Sequence, residues 1–155
     1  MHFHSTWIEK QHASVYFIRP ADPDHGDHRL AVGLASTVDG LHFMDLGVAL
    51  KPGVAGAWDD RMASFPGVWK ASNSSWKLVY EGSTDQPYET ARWSTGLARS
   101  KDLLAWEKYS TPILPRTERG FSYDGSEWFR TPDGVLHLYF RTKQGATGRA
   151  NLVQK

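Results

Sequence analysis

The chain has 155 residues, with 18 basic and 17 acidic side chains, seven tryptophans and no cysteine. The near balance of charge gives no electrostatic footprint for nucleic acid or an anionic membrane, and the lack of cysteine excludes disulfide frameworks and thiolate metal sites. No apolar run approaches the ~20 residues that span a bilayer, and the first residues show no signal peptide. We therefore predict no nucleic-acid or membrane partner, no cofactor and no metal, in a protein of either the cytoplasm or the secreted class.

Short runs rich in Val, Leu, Tyr, Phe and Trp follow one another along the chain, and helical periodicity is nearly absent. Asn73-Ser74 and Asp133-Gly134 each fall between two such runs and predict hairpin turns, because Asn, Asp and Gly tolerate positive φ. The predicted strands cover residues 6–10, 13–19, 29–36, 42–46, 65–71, 76–82, 92–99, 105–109, 126–131, 135–141 and 147–153. The chain is therefore predicted to be all-β.

The chain nearly repeats itself at a period of roughly 60 residues. Gly33-Leu34-Ala35-Ser36 returns as Gly96-Leu97-Ala98-Arg99-Ser100. Each copy is followed by an aspartate, Asp39 or Asp102, which we expect to cap the turn that it enters. Aromatic residues also recur, and we expect them to pack between neighbouring units. These aromatic residues are Phe43, Trp69, Trp76, Trp106 and Phe129.

The predicted strands fall into groups of four, each with a hairpin, a longer loop and a short fourth strand. A unit of four antiparallel strands is a propeller blade. The groups cover about residues 6–50, 58–115 and 121–155, and the third lacks an obvious fourth strand. Residues 1–155 are therefore predicted to form a single β-propeller-type domain with fewer than three complete blades.

Three stretches of the second group resemble one superfamily of enzymes. Residues 57–70, 76–82 and 96–108 are similar to segments that recur in the five-bladed β-propeller glycoside hydrolases, and the last contains the motif Gly-Leu-Ala-x-Ser-x-Asp-Leu-x-x-Trp. The nearest groups are glycoside hydrolase family 43 and its relatives in families 32, 62 and 130. The resemblance runs from about residue 13 to 141. It implies a carbohydrate-active enzyme with its site in the central channel.

The resemblance also implies which residue types act in such a site: an aspartate base or nucleophile, a glutamate acid, and often a third aspartate. One carboxyl group must stay protonated while another stays ionised, and closely placed carboxylates push each other's pKa values apart. Glu127 is the predicted general acid, Asp60 or Asp59 is its predicted partner, and Asp124 is a further candidate. Asp59 and Asp60 equally fit loop residues that cap the start of a strand.

Aromatic and basic residues flank these carboxylates in the sequence. Trp58 and Trp128 are predicted to stack on the faces of sugar rings. Arg61 and Arg130 are predicted to bind hydroxyl or carboxylate groups of the substrate, and their alternative role is an ion pair with the neighbouring acidic residue. The sequence thus predicts two clusters that would face a carbohydrate, one at the start of the first strand of the second group and one at the start of the first strand of the third group.

The length sets a further expectation, because a five-bladed ring at this period needs roughly 300 residues. The chain is predicted to be a fragment of a longer hydrolase, or to complete the ring as a homodimer or other homo-oligomer. A compact sandwich is the remaining alternative.

The predicted function is cleavage of glycosidic bonds in plant or microbial oligo- or polysaccharide. The alternative function is that of a non-catalytic carbohydrate-binding or structural propeller piece.

Overall fold

Eleven β-strands and two short 3₁₀ turns make up the described part of the chain. The computed structural model describes residues 3–9, 12–72, 74–116, 123–142 and 146–151, with side chains at all of these except 3–5, 7, 9, 72, 123–128 and 142. The strands are β1 (Phe3–Glu9), β2 (His12–Asp22), β3 (Asp27–Thr37), β4 (Met44–Leu50), β5 (Met62–Ser72), β6 (Ser75–Ser83), β7 (Ser94–Ser100), β8 (Glu107–Lys108), β9 (Tyr123–Arg130), β10 (Leu136–Thr142) and β11 (Thr147–Asn151). Each predicted strand overlaps one of these, so the all-β prediction is confirmed.

The strands pair as antiparallel meanders. β1 to β4 form one group and β5 to β8 form a second, with each strand hydrogen-bonded to the next, while β9, β10 and β11 form a three-stranded sheet. A parallel bridge between Leu30 and Met62 joins the first two groups. The leading strands are adjacent, because β1 contacts β5 and β5 contacts β9. Antiparallel units with neighbouring leading strands are the blades of a β-propeller, which confirms the predicted fold class.

The glycine that opens each Gly-Leu-Ala copy lies beneath an aromatic ring of the preceding strand. A Cβ at Gly33 would come 2.7 Å from the Phe17 ring, closer than real Cβ atoms approach. Only glycine lets a ring lie flat across its backbone in this way. The paired rings and glycines are Phe17 with Gly33, Tyr80 with Gly96, and Phe140 with Gly148. The repeat therefore extends into the three-stranded sheet, where Gly148-Arg149-Ala150 takes the place of Gly-Leu-Ala.

The turns after the two motif copies have the same hydrogen bonds. Asp39 Oδ1 accepts from the backbone N–H groups two and three residues further on, both at 2.8 Å. Asp102 Oδ1 does the same, with both distances at 2.9 Å. The hydroxyl groups of Thr37 and Ser100 accept from two further N–H groups in each turn. The predicted turn-capping role of both aspartates is confirmed.

The main core lies between the first two groups of strands. The Tyr16 hydroxyl is buried there and donates to the backbone oxygen of Leu103 at 2.8 Å, and Trp106 meets the Tyr16 ring edge-on at 6.0 Å. The buried members of this core are Tyr16, Val32, Leu34, Leu50, Ala63, Trp76, Leu78, Tyr80, Ala98 and Leu103. The predicted packing role is correct for Trp76 and Trp106. It is wrong for Phe43, which precedes β4, and for Phe129 on β9, because these side chains are 42% and 56% exposed.

Candidate functional site

A cleft opens where the start of β3 and the β6–β7 loop meet the start of β5. Its volume is about 510 Å³, within the range of roughly 300–1,000 Å³ that is typical of small-molecule sites. A shallower extension continues over His25, Gly26 and Asp27. The lining residues of the main part are His28, Arg29, Leu30, Arg61, Met62, Gln86, Pro87 and Tyr88. We call this feature the β3–β5 cleft, because the Leu30–Met62 bridge between those strands forms its base.

Arg29 fixes one wall of the cleft. Its Nε and Nη2 atoms donate to the two carboxylate oxygens of Asp27 at 2.9 and 2.8 Å, and these hydrogen bonds lower the pKa of Asp27 to about 2. Its Nη1 atom donates to the backbone oxygens of Gly53 and Asp60, at 3.2 and 2.9 Å. The Arg29 side chain therefore ties β3 to the loop that precedes β5.

Arg61 is held by its backbone and not by its side chain. Its N–H donates to the oxygen of Ser83 at 3.1 Å, at the end of β6. Its guanidinium is exposed and makes no hydrogen bond or ion pair with any residue whose side chain is described. The alternative of an ion pair with Asp60 is not seen, because Asp60 Oδ2 accepts from the N–H of Gly56 at 2.9 Å. Arg61 thus presents an uncommitted cation to the cleft.

An aromatic cluster supports the opposite wall of the cleft. The Tyr88 ring packs edge-on to Trp93 at 5.3 Å and against Phe65 at 6.0 Å. Phe65 has φ of 47°, at a bulge where the β5–β6 register slips between Ser64 and Gly67. A positive φ at such a residue costs roughly 1–3 kcal/mol, and the ring contacts offset this cost. The bulge and the cluster together fix the position of Tyr88.

An ion-pair network anchors the loop that carries Gln86 and Tyr88. Asp85 receives hydrogen bonds from Arg92, whose Nε lies 2.8 Å from Oδ2, and Arg116 Nη1 lies 2.8 Å from Oδ1. These hydrogen bonds, with Arg92 the larger contribution, lower the pKa of Asp85 to about 2. The network spans the loop and the segment before residue 117, so it keeps this side of the cleft in place.

The depressed pKa of Asp85 makes its stabilising effect dependent on pH. We expect Asp85→Asn to lower the free energy of unfolding by about 1 kcal/mol at pH 7. Because the folded-state pKa lies below the ordinary value, this contribution is present above about pH 4 and is lost as the pH falls towards 2. Urea unfolding of both proteins at pH 7, 4 and 2 measures it.

The control for this prediction is Asp24→Asn, which removes an exposed carboxylate with no described ion pair. Its stability difference from the wild type should be small at every pH. A difference for Asp85→Asn that stays constant from pH 7 to pH 2 would contradict the network's charge dependence.

Asp59, a predicted catalytic residue, is almost completely buried at 2% exposure and does not line the cleft. Its Oδ2 atom accepts from the Tyr80 hydroxyl at 2.9 Å and lies 2.6 Å from Lys108 Nζ. Burial raises the pKa of Tyr80, so that its hydroxyl stays a donor. Burial also lowers the pKa of Lys108, and the Asp59 carboxylate opposes that shift. Asp59 therefore joins the loop before β5 to β6 and β8.

Trp58 packs into the same region. Its ring stacks on Tyr80 at 5.6 Å with an interplanar angle of 27°. It also lies over Gly82 and Gly96, where a Cβ would overlap the indole. The contacts of Trp58 are therefore those of a packing residue, and its predicted sugar-stacking role stays a prediction.

The second predicted cluster lies largely outside the described side chains. Asp124, Glu127 and Trp128 belong to β9, in which Asp124 stands opposite Arg141 and Glu127 opposite Tyr139. Their side chains lie outside the part that the structure describes. Arg130 is described, is exposed, and stands at the end of β9 opposite Leu136, next to the β9–β10 hairpin. The two predicted clusters are thus not brought together by any described side-chain contact.

The sequence analysis missed the cleft residues that come from loops. His28, Gln86 and Tyr88 lie in or beside polar, proline-containing loops without a recognisable motif. Each of these loops joins the second strand of its group to the third, so the two loops emerge at the same end of neighbouring groups. This shared position is the feature of the sequence that could have predicted a site between them. Within the described residues, no group of three or more His, Asp or Glu side chains is placed to hold a metal, and no helix is long and apolar enough to cross a membrane.

Solved structures share this fold at low sequence identity. A thermostable family-43 glycoside hydrolase matches with a TM-score of 0.76 at 20% identity, over 99% of this chain and 54% of its own. A family 117 glycoside hydrolase from the marine bacterium Zobellia galactanivorans matches with a TM-score of 0.74 at 12% identity, over 94% and 49%. The family-32 β-fructofuranosidase of Bombyx mori matches at 0.67 and 17% identity, over 94% and 32%.

No protein-family model matches the sequence, and no curated protein does. The chain spans about half the length of the first two solved structures above. The resemblance of residues 57–70, 76–82 and 96–108 to propeller glycoside hydrolases is thereby confirmed for the fold. The chain has the fold of about half of a glycoside-hydrolase β-propeller.

Proposed function

We propose that this chain forms part of a glycoside hydrolase that cleaves plant or microbial oligo- or polysaccharide, with the sugar bound in the β3–β5 cleft. The observation that carries this proposal is the likeness of fold to glycoside hydrolases over 94% or more of the chain. The cleft supports it, because it lies at the start of a leading strand and has the size of a site for one or two sugar units.

The residues of the cleft suit a carbohydrate. Tyr88 offers a fixed aromatic edge or face for the apolar side of a sugar ring. Gln86 and Arg61, both exposed in the cleft, supply donors and an acceptor for sugar hydroxyl groups. Few polar groups around an apolar wall are the usual composition of a small-molecule site.

For the chemistry we propose Glu127 as the general acid and Asp60 as the carboxylate partner, with Asp124 as a third acidic residue. Asp60 directly precedes Arg61, and its Oδ1 atom is buried without a described hydrogen-bond partner. A carboxylate oxygen without a donor retains the capacity to accept a hydrogen bond, which is why Asp60 is the proposed partner. Asp59 is the less suitable partner, since Tyr80 and Lys108 already occupy its Oδ2 atom.

A non-catalytic carbohydrate-binding role is the second candidate, and one observation favours it. Among the described residues that line the cleft, Asp27 is the acidic side chain, and both of its oxygens are bonded to Arg29. A pair of uncommitted carboxylates, which hydrolysis needs, is therefore not formed by the described lining residues.

The experiment is a turnover assay on the full chain with aryl arabinofuranoside, xyloside and galactoside, run beside calorimetric binding of the corresponding methyl glycosides. Light scattering on the same sample gives the native mass and tests the predicted homodimer or other homo-oligomer. Hydrolysis of one aryl-glycoside is the expected result. Binding without hydrolysis would favour the non-catalytic carbohydrate-binding role over the enzymatic one. The absence of both binding and hydrolysis would overturn the proposed carbohydrate function.

A further inference from the structure

We propose that the β3–β5 cleft selects sugars with a negatively charged substituent, which Arg61 binds. The inference rests on the proposed carbohydrate function and adds the substrate class. The shared chemistry is a sugar ring bearing a carboxylate or a sulfate ester.

The first observation is the difference between the two arginines of the cleft. All three guanidinium nitrogens of Arg29 donate hydrogen bonds within the protein, to the Asp27 carboxylate and to two backbone oxygens. Arg61 makes no hydrogen bond or ion pair with a described residue. Because the Asp27 carboxylate offsets the charge of Arg29, Arg61 is the cation of the cleft lining that has no described counter-charge.

The second observation is that the peptide unit between Asp60 and Arg61 is held by two hydrogen bonds. Arg29 Nη1 donates to the oxygen of Asp60 at 2.9 Å, and the N–H of Arg61 donates to Ser83 at 3.1 Å. A guanidinium on a fixed backbone loses less freedom on binding than one on a mobile loop. Its planar fork matches the two oxygens of a carboxylate or sulfate.

The third observation is the wall formed by Tyr88 and Gln86. Tyr88 is braced by Phe65 and Trp93, so the sugar ring has a rigid apolar surface beside the cation. Among the described lining residues the acidic side chain is Asp27, which is bonded to Arg29. Asp60, next to Arg61 in the sequence, is not a lining residue, and its Oδ2 atom accepts from the N–H of Gly56 at 2.9 Å. A sugar ring that packs against Tyr88 can therefore place its anionic group on the Arg61 guanidinium, so that it contacts both sides of the cleft.

The test is calorimetric binding of sugars that differ only at C6, in the galacto and gluco series: the neutral sugar, the uronic acid and the 6-sulfate. We expect the full chain to bind an anionic member about tenfold more tightly than its neutral counterpart. Arg61→Gln should remove this preference, so that the neutral sugar and its anionic counterparts bind with equal affinity. Arg61→Lys should retain part of it, since the charge stays and the fork is lost.

Lys101→Gln is the matched control, because it removes an exposed cation outside the cleft. Tighter binding of the uronic acid or of the 6-sulfate identifies the anion and supports the inference. Equal affinity for neutral and anionic sugars, or an unchanged preference in Arg61→Gln, would overturn it and leave the proposed function standing. Failure to bind any of the six ligands would also overturn it, and the aryl-glycoside assay then decides the proposed function separately.

Discussion

Replacing Asp59 by alanine is expected to lower the free energy of unfolding by about 3 kcal/mol, at the lower end of the range for breaking a buried ion pair. The substitution leaves the Lys108 ammonium, which is 22% exposed, without its counter-charge. It also leaves the buried Tyr80 hydroxyl without the acceptor that it reaches at 2.9 Å. Urea unfolding followed by tryptophan fluorescence measures the change.

Matched variants separate the ion pair from the loss of side-chain volume. Lys108→Met should be destabilising, because it leaves the Asp59 charge buried and unpaired. The double variant Asp59→Leu with Lys108→Met should be less destabilised than the sum of the single variants, since it leaves no orphaned charge. Asp60→Ala, which loses a hydrogen bond to Gly56, should cost about 1 kcal/mol. An Asp59→Ala protein within 0.5 kcal/mol of the wild type would contradict the structural role of this pair.

Replacing Glu127 by glutamine is expected to reduce glycosidase turnover by about 10²–10⁴-fold, the usual contribution of a general acid. The change is nearly isosteric, so the fold and the binding of sugar should be retained. The loss should be largest for aryl-glycosides with poor leaving groups, which need protonation of the glycosidic oxygen. It should be much smaller for a dinitrophenyl glycoside, whose leaving group departs as the anion.

Glu107→Gln is the control for this prediction. Glu107 is an exposed carboxylate on β8 that pairs with Arg99, and it does not line the cleft. Its turnover should match the wild type on every substrate. Wild-type rates in Glu127→Gln on a poor leaving group would remove Glu127 from the catalytic role.

Much of the fold was predictable from the sequence because its signals are local. Runs of β-branched and aromatic residues between turn residues located all eleven strands, and the Asp39 and Asp102 turns depend on atoms within three residues. The spacing of the Gly-Leu-Ala copies predicted the blades, because each glycine leaves room for an aromatic ring of the adjacent strand, where a Cβ atom would overlap that ring. The third copy was missed because Arg149 stands where Leu34 and Leu97 stand in the others.

The candidate site was only partly predictable. Arg61 was identified from its place beside two aspartates, and it does line the cleft. The aspartates themselves have different surroundings, since Asp59 is buried against β6 and Asp60 holds the turn at Gly56. Adjacent carboxylates in a sequence point in different directions on an irregular loop, so their order along the chain does not decide which one faces a ligand.

The sequence by itself determined the all-β class, the position of the strands and the repeating unit, because these follow from side-chain patterns over a few residues. Only the tertiary structure decided that Asp59 is paired with Lys108, which lies 49 residues away along the chain. It also decided that Arg29, Arg61 and Tyr88 share one cleft. Such contacts depend on how successive strand groups pack. The burial of a side chain, its charge state and its unused hydrogen-bonding groups are set by neighbours that are distant in the sequence, so a local pattern does not predict them.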